Sequence, residues 1–211
     1  MNRRGLVIAA AGACVLAGVS FLALHARGDR RPSPAQRPPQ YPSDLTSLVD
    51  QDGNRFSFER LNGRTVLMNF IFTHCQTSCP LQTQALTGVQ RALPESIRRR
   101  VAFVSVSIDP VRDTPALLKQ YASKLGAGLG NWSFVTGDRG EITWLHQHFG
   151  AQVKRMAGDQ FDHRVAVYLL DANGRFVQRY AGDLDRSRLV KEIGHVDDLY
   201  NKSRQQLSPG G

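Results

Sequence analysis

Cysteine is scarce in this chain of 211 residues. There are three in all, too few for a disulfide-stapled miniprotein or for a pair of four-cysteine zinc sites. No glycine-rich loop ends in Lys-Ser/Thr, and no G-x-G-x-x-G follows a strand, so nothing points to phosphate or dinucleotide binding. The G-x-S-x-G element of a serine hydrolase is missing too. Basic–aromatic stripes of the kind that bind single strands are absent. A composition 41% hydrophobic and 21% charged excludes a chain disordered throughout and a polytopic membrane protein.

Acids are also in short supply. Lys and Arg number 27 against 18 Asp and Glu, a net charge of +9. A uniform excess would suggest a nucleic-acid partner, but this one is segregated. In residues 1–40 six arginines (Arg3, Arg4, Arg27, Arg30, Arg31, Arg37) face a single acid, Asp29. More than half of the charge therefore lies in that segment, and the remainder carries only +4. No nucleic acid is implied.

Arg3 and Arg4 precede an uncharged run, Gly5–Leu24. About 20 residues rising 1.5 Å each span roughly 30 Å, the thickness of a bilayer's hydrocarbon core. The preceding arginines favour an inside N-terminus and an exported body. Residues 1–26 are thus read as a single-pass anchor in the inner (cytoplasmic) membrane, with the domain on the periplasmic or extracytoplasmic side. A cleaved signal peptide and a lipoprotein acylated at Cys14 are the rivals. Leu24-His25-Ala26 is a poor cleavage site, and apolar sequence continues past Cys14. Residues 27–42, with five prolines, read as an extended, semi-rigid tether. Residues 43–203 are expected to form one domain and 204–211 a flexible tail.

Within the domain, Leu45–Val49 and Arg55–Phe58 flank Asp50-Gln51-Asp52-Gly53-Asn54, a hairpin signal. Val66–Phe72 and Val101–Ile108 are near-continuous apolar runs, as in strands buried on both faces. A helix is expected from Pro80 to about Leu93. Another opens at Thr114-Pro115, cap then first-turn proline, with Asp113 sharing the capping role. Trp132–Val135 reads as a strand, Glu141–Phe149 as a helix, Val165–Leu170 and Arg175–Tyr180 as a hairpin, and Leu184–Leu199 as the last helix. Strand–helix alternation followed by a late hairpin predicts an α/β fold, a mixed sheet flanked by helices; the arrangement is like that of thioredoxin, while the periodicity alone carries the mixed α/β sheet and no more.

The chemistry concentrates in Thr73-His74-Cys75-Gln76-Thr77-Ser78-Cys79-Pro80, between a buried strand and a helix. Cysteines at i and i+4 share a helix face. A helix N-terminus stabilises thiolate, and thiolates select soft ions such as Cu(I). The pair suits thiol–disulfide exchange, copper binding or both; the bland alternative is a local structural disulfide. Two sulfurs leave a copper site incomplete. Among the further candidates, His163 stands out, in a loop just before an apolar strand, with Asp162 placed to orient its ring. His74 adjoins the first cysteine. His146 and His148, two apart on a helix, are poor co-ligands. His195 is expected on a solvated face, and Met156 is a remote soft candidate. Asp109 ends a strand at the edge where α/β sites gather and is a candidate support for the cysteine site. A peroxidase of peroxiredoxin type is disfavoured, because Thr73 stands two rather than three residues before the cysteine.

Three segments together carry a resemblance. These are Phe70-Ile71-Phe72-Thr73-His74-Cys75 with Cys79-Pro80, Ser107–Pro115, and Asp162-His163 ahead of Tyr168–Gly174. In order and spacing the chain resembles the Sco/SenC family over roughly residues 42–200. The resemblance implies a membrane-tethered thioredoxin-fold copper protein that helps mature the dinuclear copper centre of cytochrome c oxidase. It implies Cys75, Cys79 and His163 as copper ligands and cysteines that also cycle between dithiol and disulfide, and Asp109 matches an acid that recurs in the family. The implied partner is cytochrome c oxidase subunit II or another copper-accepting protein. Enzymatic activity is left open, with an exported thiol–disulfide oxidoreductase as the alternative. Gln76, Thr77 and Arg164 depart from the common pattern. They remove no ligand but alter local charge.

Overall fold

Seven successive buried residues, Thr65–Ile71, form strand β1. The run lacks alternation because both faces of the strand are covered. β2 (Val101–Ser107) is buried throughout in the same way and pairs parallel with β1, from Thr65 opposite Val101 to Ile71 opposite Ser107. β3 (Trp132–Val135) lies parallel beyond β2. Helix α1 (Ser78–Ala92) and the single turn α2 (Glu95–Arg98) connect β1 to β2, and α3 (Pro115–Lys124) connects β2 to β3. Helix α4 (Arg139–His148) follows. Next come two short strands, β4 (Val153–Arg155) and β5 (Phe161–His163), then β6 (Ala166–Leu170), β7 (Phe176–Ala181) and α5 (Arg186–Leu207).

The five-stranded sheet has the order β3-β2-β1-β6-β7, with β6 antiparallel to β1 and to β7. This is the expected mixed, thioredoxin-like sheet flanked by helices. The computed structural model describes residues 41–42, 44–128, 130–156, 161–163 and 165–207. The expected anchor and nearly all of the tether lie outside them. Among the described residues no helix is long and apolar enough to cross a membrane.

The core lies on both faces of β1, β2 and β6. Phe58, Phe72, Phe103, Phe134 and Tyr168 are among its fully buried side chains, each contributing about 1.5–3 kcal/mol by leaving water. A polar seam crosses it. Trp132 Nε1 donates to Ser105 Oγ at 3.0 Å, Ser105 Oγ to Asn69 Oδ1 at 2.7 Å, and Asn69 Nδ2 to Gln82 Oε1 at 2.8 Å. Three strands and α1 are thereby held in one register.

Several sequence signals read true at the level of single atoms. Thr114 Oγ1 caps α3 by accepting the Leu117 amide at 3.3 Å, with Pro115 at the first position. Asp171 Oδ1 accepts the amides of Asn173 and Arg175 across the β6–β7 turn, and Gly174 there has φ +75°, a backbone conformation that costs little without a Cβ.

Elsewhere the structure departs from the reading. The first hairpin shrinks to single bridges, Val49 to Arg55 and Val49 to Thr136. Asp50 Oδ1 takes the amides of Asp52 and Asn54, while Ser57 caps a 3-10 turn, Phe58–Leu61. α5 runs on to Leu207, so residues 204–207, expected in the tail, continue the helix. The β4–β5 ribbon was not foreseen, because strands of three residues leave no periodic signal.

Candidate metal and thiol site

Parallel pairing brings the carboxyl ends of β1 and β2 to one edge, so the loops that follow them adjoin. The first, residues 72–77, carries Cys75. The Cys75 amide donates to the Phe72 carbonyl at 3.1 Å, closing a turn, and α1 begins only at Ser78. The two cysteines therefore do not share a helix face as the spacing suggests. Cys75 precedes the helix and Cys79 sits in its first turn. The Cys75 sulfur accepts the backbone amide of Cys79 at 3.4 Å and lies 3.5 Å from Ser78 Oγ. It occupies the place of a helix cap, over amides that have no partner within the helix.

That placement divides the pair chemically. The Cys79 thiol hydrogen bond, the Cys79 and Thr77 amides and the Ser78 hydroxyl together outweigh burial, and Cys75 falls to about 4. Cys79, fully buried, is pushed up by its hydrogen bond to Cys75 and by desolvation. At neutral pH Cys75 is the thiolate and Cys79 the thiol. The two are not joined in a disulfide. Alkylation gives a direct check. In the native protein Cys75 should react at a rate independent of pH across the neutral range and slow only as pH falls towards about 4. Denaturation should return its titration to the ordinary thiol range near 8.5. A native midpoint in that ordinary range would contradict the assignment.

The second loop braces the first. Asp113 was expected to share the capping of α3, but Thr114 caps alone. Asp113 turns inward and is fully buried. Its carboxylate accepts the Thr73 amide at 3.2 Å, the Thr73 hydroxyl at 2.5 Å and the Ser107 hydroxyl at 2.6 Å. Burial raises its pKa against the pull of these donors. Thr73 Oγ1 also lies 3.1 Å from His74 Nδ1. The Asp109 carboxylate is paired with Arg112, and its amide donates to Ser107 Oγ at 3.0 Å. Atoms of His74, Asp109 and Asp113 lie within 4.8 Å of one another. Asp109 thus stands beside His74 and the carboxylate that fixes the cysteine turn. The redundancy in Asp113-Thr114-Pro115, two capping residues where one suffices, was the signal available for Asp113.

His163 ends β5, where its backbone pairs with Val153 of β4. The loop foreseen for it is therefore a short strand. Asp162 pairs with Lys154 and is exposed. The ring of Phe161 in the ribbon meets that of Phe72 edge-on at 5.3 Å. Three further histidines lie among the described residues. His146 packs edge-on to Phe70 and is held neutral by burial, His148 stacks on Trp144, and His195 and Met156 are exposed.

A groove of about 680 Å³ opens beside Cys75 between α1 and α3, lined by His74, Pro80, Leu117, Tyr121 and Lys124 among others. The site thus offers one ionised sulfur, one neutral sulfur behind it and open access. That donor set fits a soft, thiophilic ion and equally fits attack on a disulfide.

A cysteine pair of this kind, at the first helix of a thioredoxin-like sheet, is chemically suited to soft metals and to thiol exchange. The SCO1/SenC family matches residues 38–196, and the chain belongs to that family. The SCO1 protein homolog of Bacillus subtilis is 36% identical over 170 residues, covering 79% of this chain and 86% of that one. BsSco, described as a member of the Sco family of cytochrome c oxidase assembly proteins with a disulfide switch, superposes with a TM-score of 0.65 at 32% identity. The match covers 77% of this chain and 96% of that structure. The copper-bound ScoI of Bradyrhizobium japonicum superposes with a TM-score of 0.64 at 27% identity, covering 72% and 96%.

Proposed function

We propose that this chain is a membrane-tethered copper chaperone that holds copper on Cys75, Cys79 and His163 and passes it to an acceptor protein, cytochrome c oxidase subunit II or another protein with a thiol copper site. The observation that carries the reading is the thiolate of Cys75, backed by Cys79 and open to a groove, on the fold of a family with copper-bound members. Copper is the cargo. The thiolate turn fixes where it sits, and the open groove lets an acceptor's sulfur approach. Residues 1–26 serve as the anchor, and the Arg- and Pro-rich tether leaves the domain on the extracytoplasmic side.

The test is metal analysis of the purified full chain, reduced and then offered Cu(I). About one copper per chain is expected, with His163→Ala weakening retention by roughly 10–100-fold or more. A His163→Ala protein that held copper as tightly as the wild type would remove His163 from the ligand set.

A second reading rests on the divided acidity of the pair. The Cys75 thiolate attacks a partner's disulfide, forms a mixed disulfide and releases one partner thiolate. Cys79, losing its proton, then attacks Cys75, leaving a Cys75–Cys79 disulfide and a reduced partner. Copper-free protein should then reduce a model disulfide in stoichiometric amount, and failure to do so would leave the copper role alone.

A further inference from the structure

The loop between β2 and α3 touches both halves of the site. Through Asp113 it grips Thr73, two residues before Cys75. Through Arg112 it reaches the other side, where the guanidinium carbon stands 6.0 Å from the centre of the Phe161 ring. Arg112 is itself fixed by its ion pair with Asp109. The same Phe161 ring packs edge-on against Phe72, fully buried directly ahead of Thr73. Phe161 is therefore held between a ring from the cysteine turn and a cation from the bracing loop.

This matters because of what the ribbon lacks. Among the described residues, β4 and β5 pair only with each other and form a sheet separate from the five-stranded one. Among those residues no backbone ladder fixes the ribbon to the five-stranded sheet. Its partly buried apolar side chains, Val153 and Phe161, supply the packing against the core. Phe161 lies two residues before His163 on the same three-residue strand, so whatever fixes Phe161 fixes the backbone of His163.

We infer that Phe161 and Arg112 form a latch that holds the His163 ribbon against the cysteine turn, making them positioning residues for copper. This rests on the copper reading above. A ligand held in place before the metal arrives loses less freedom on binding than one on a loose ribbon. The latch also joins the two ligand segments through one loop. Asp109, Arg112 and Asp113 form a continuous brace from the ribbon to Thr73.

The experiment uses the full chain and four variants, Phe161→Ala, Phe161→Tyr, Arg112→Gln and His163→Ala. Cu(I) affinity is measured by competition with a chromophoric chelator, the Cu(II) form is followed by its thiolate absorption and electron paramagnetic resonance, and Cys75 alkylation is timed without copper. Phe161→Ala should weaken copper by about 10–100-fold and change the Cu(II) spectrum, with Cys75 alkylation unchanged. Phe161→Tyr, which keeps the ring, should restore both. Arg112→Gln should weaken copper by about two- to fivefold. Wild-type affinity and spectrum in Phe161→Ala, alongside a loss in His163→Ala, would overturn the latch alone. A Phe161→Ala protein whose alkylation changed with its copper affinity would show general loosening and also overturn it. A His163→Ala protein indistinguishable from wild type would overturn the ligand set and the latch with it.

Discussion

Cys75→Ser should lower Cu(I) affinity by roughly 10²–10³-fold. Structural metal sites in small domains bind with about 10–16 kcal/mol in total. One ligand of three or four therefore represents about 3–4 kcal/mol, at 1.4 kcal/mol per tenfold. Serine cannot replace the lost donor, because its hydroxyl stays protonated at neutral pH and is harder than sulfur. Yet it can accept the Cys79 amide now taken by Cys75, so the turn should keep its shape. The fold and the affinity are thereby separated. Competition against a chromophoric Cu(I) chelator reads the affinity, and thermal unfolding of the copper-free protein should barely move. An unchanged affinity would remove Cys75 from the site.

The second large effect concerns stability. Asp113→Ala should destabilise the copper-free protein by about 2–4 kcal/mol, because it removes the acceptor of the part-buried Thr73 amide and of the Thr73 and Ser107 hydroxyls. For a domain of this size that is about 5–15 °C in melting temperature. The carboxylate also carries a cost. Burial raises its pKa, so the native state binds the Asp113 proton more tightly than the unfolded chain does. Its contribution to stability is therefore fullest at acid pH and declines as pH rises through the carboxylate range. Asp113→Asn lacks this decline. Its penalty relative to the wild type should be largest at low pH and shrink towards neutrality. Calorimetric melts of both variants across that range decide the matter, and a penalty that grew with pH would mean that the charged form is the stabilised one.

Much of the scaffold was legible in the sequence because the signals were strong. Val66–Phe72 and Val101–Ile108 are apolar runs that only a doubly covered strand accommodates, and Thr114-Pro115 fixed the start of α3 to the residue. The cysteine pair declared its chemistry by composition and by its place between strand and helix. The turn that suspends Cys75 ahead of α1 was hidden, since spacing alone cannot tell a helix face from a cap. Asp113 was hidden for a related reason. A carboxylate beside a cap residue reads as a cap, and the proximity of β1 and β2 is what brings it the Thr73 amide to accept. The ribbon of β4 and β5 escaped because its strands are three residues long and one of its packing contacts, Phe161 on Phe72, joins residues far apart in sequence.

The central claim is that two cysteines and a histidine, drawn from two separate segments, bind one copper ion. X-ray absorption at the copper edge tests it most directly, with the Cu(I)-loaded full chain compared with its His163→Ala variant. Two sulfurs and one nitrogen around copper in the wild type, with the nitrogen contribution lost in the variant, is the predicted result. A shell of sulfur alone in the wild type, or a nitrogen contribution that persisted without His163, would contradict it.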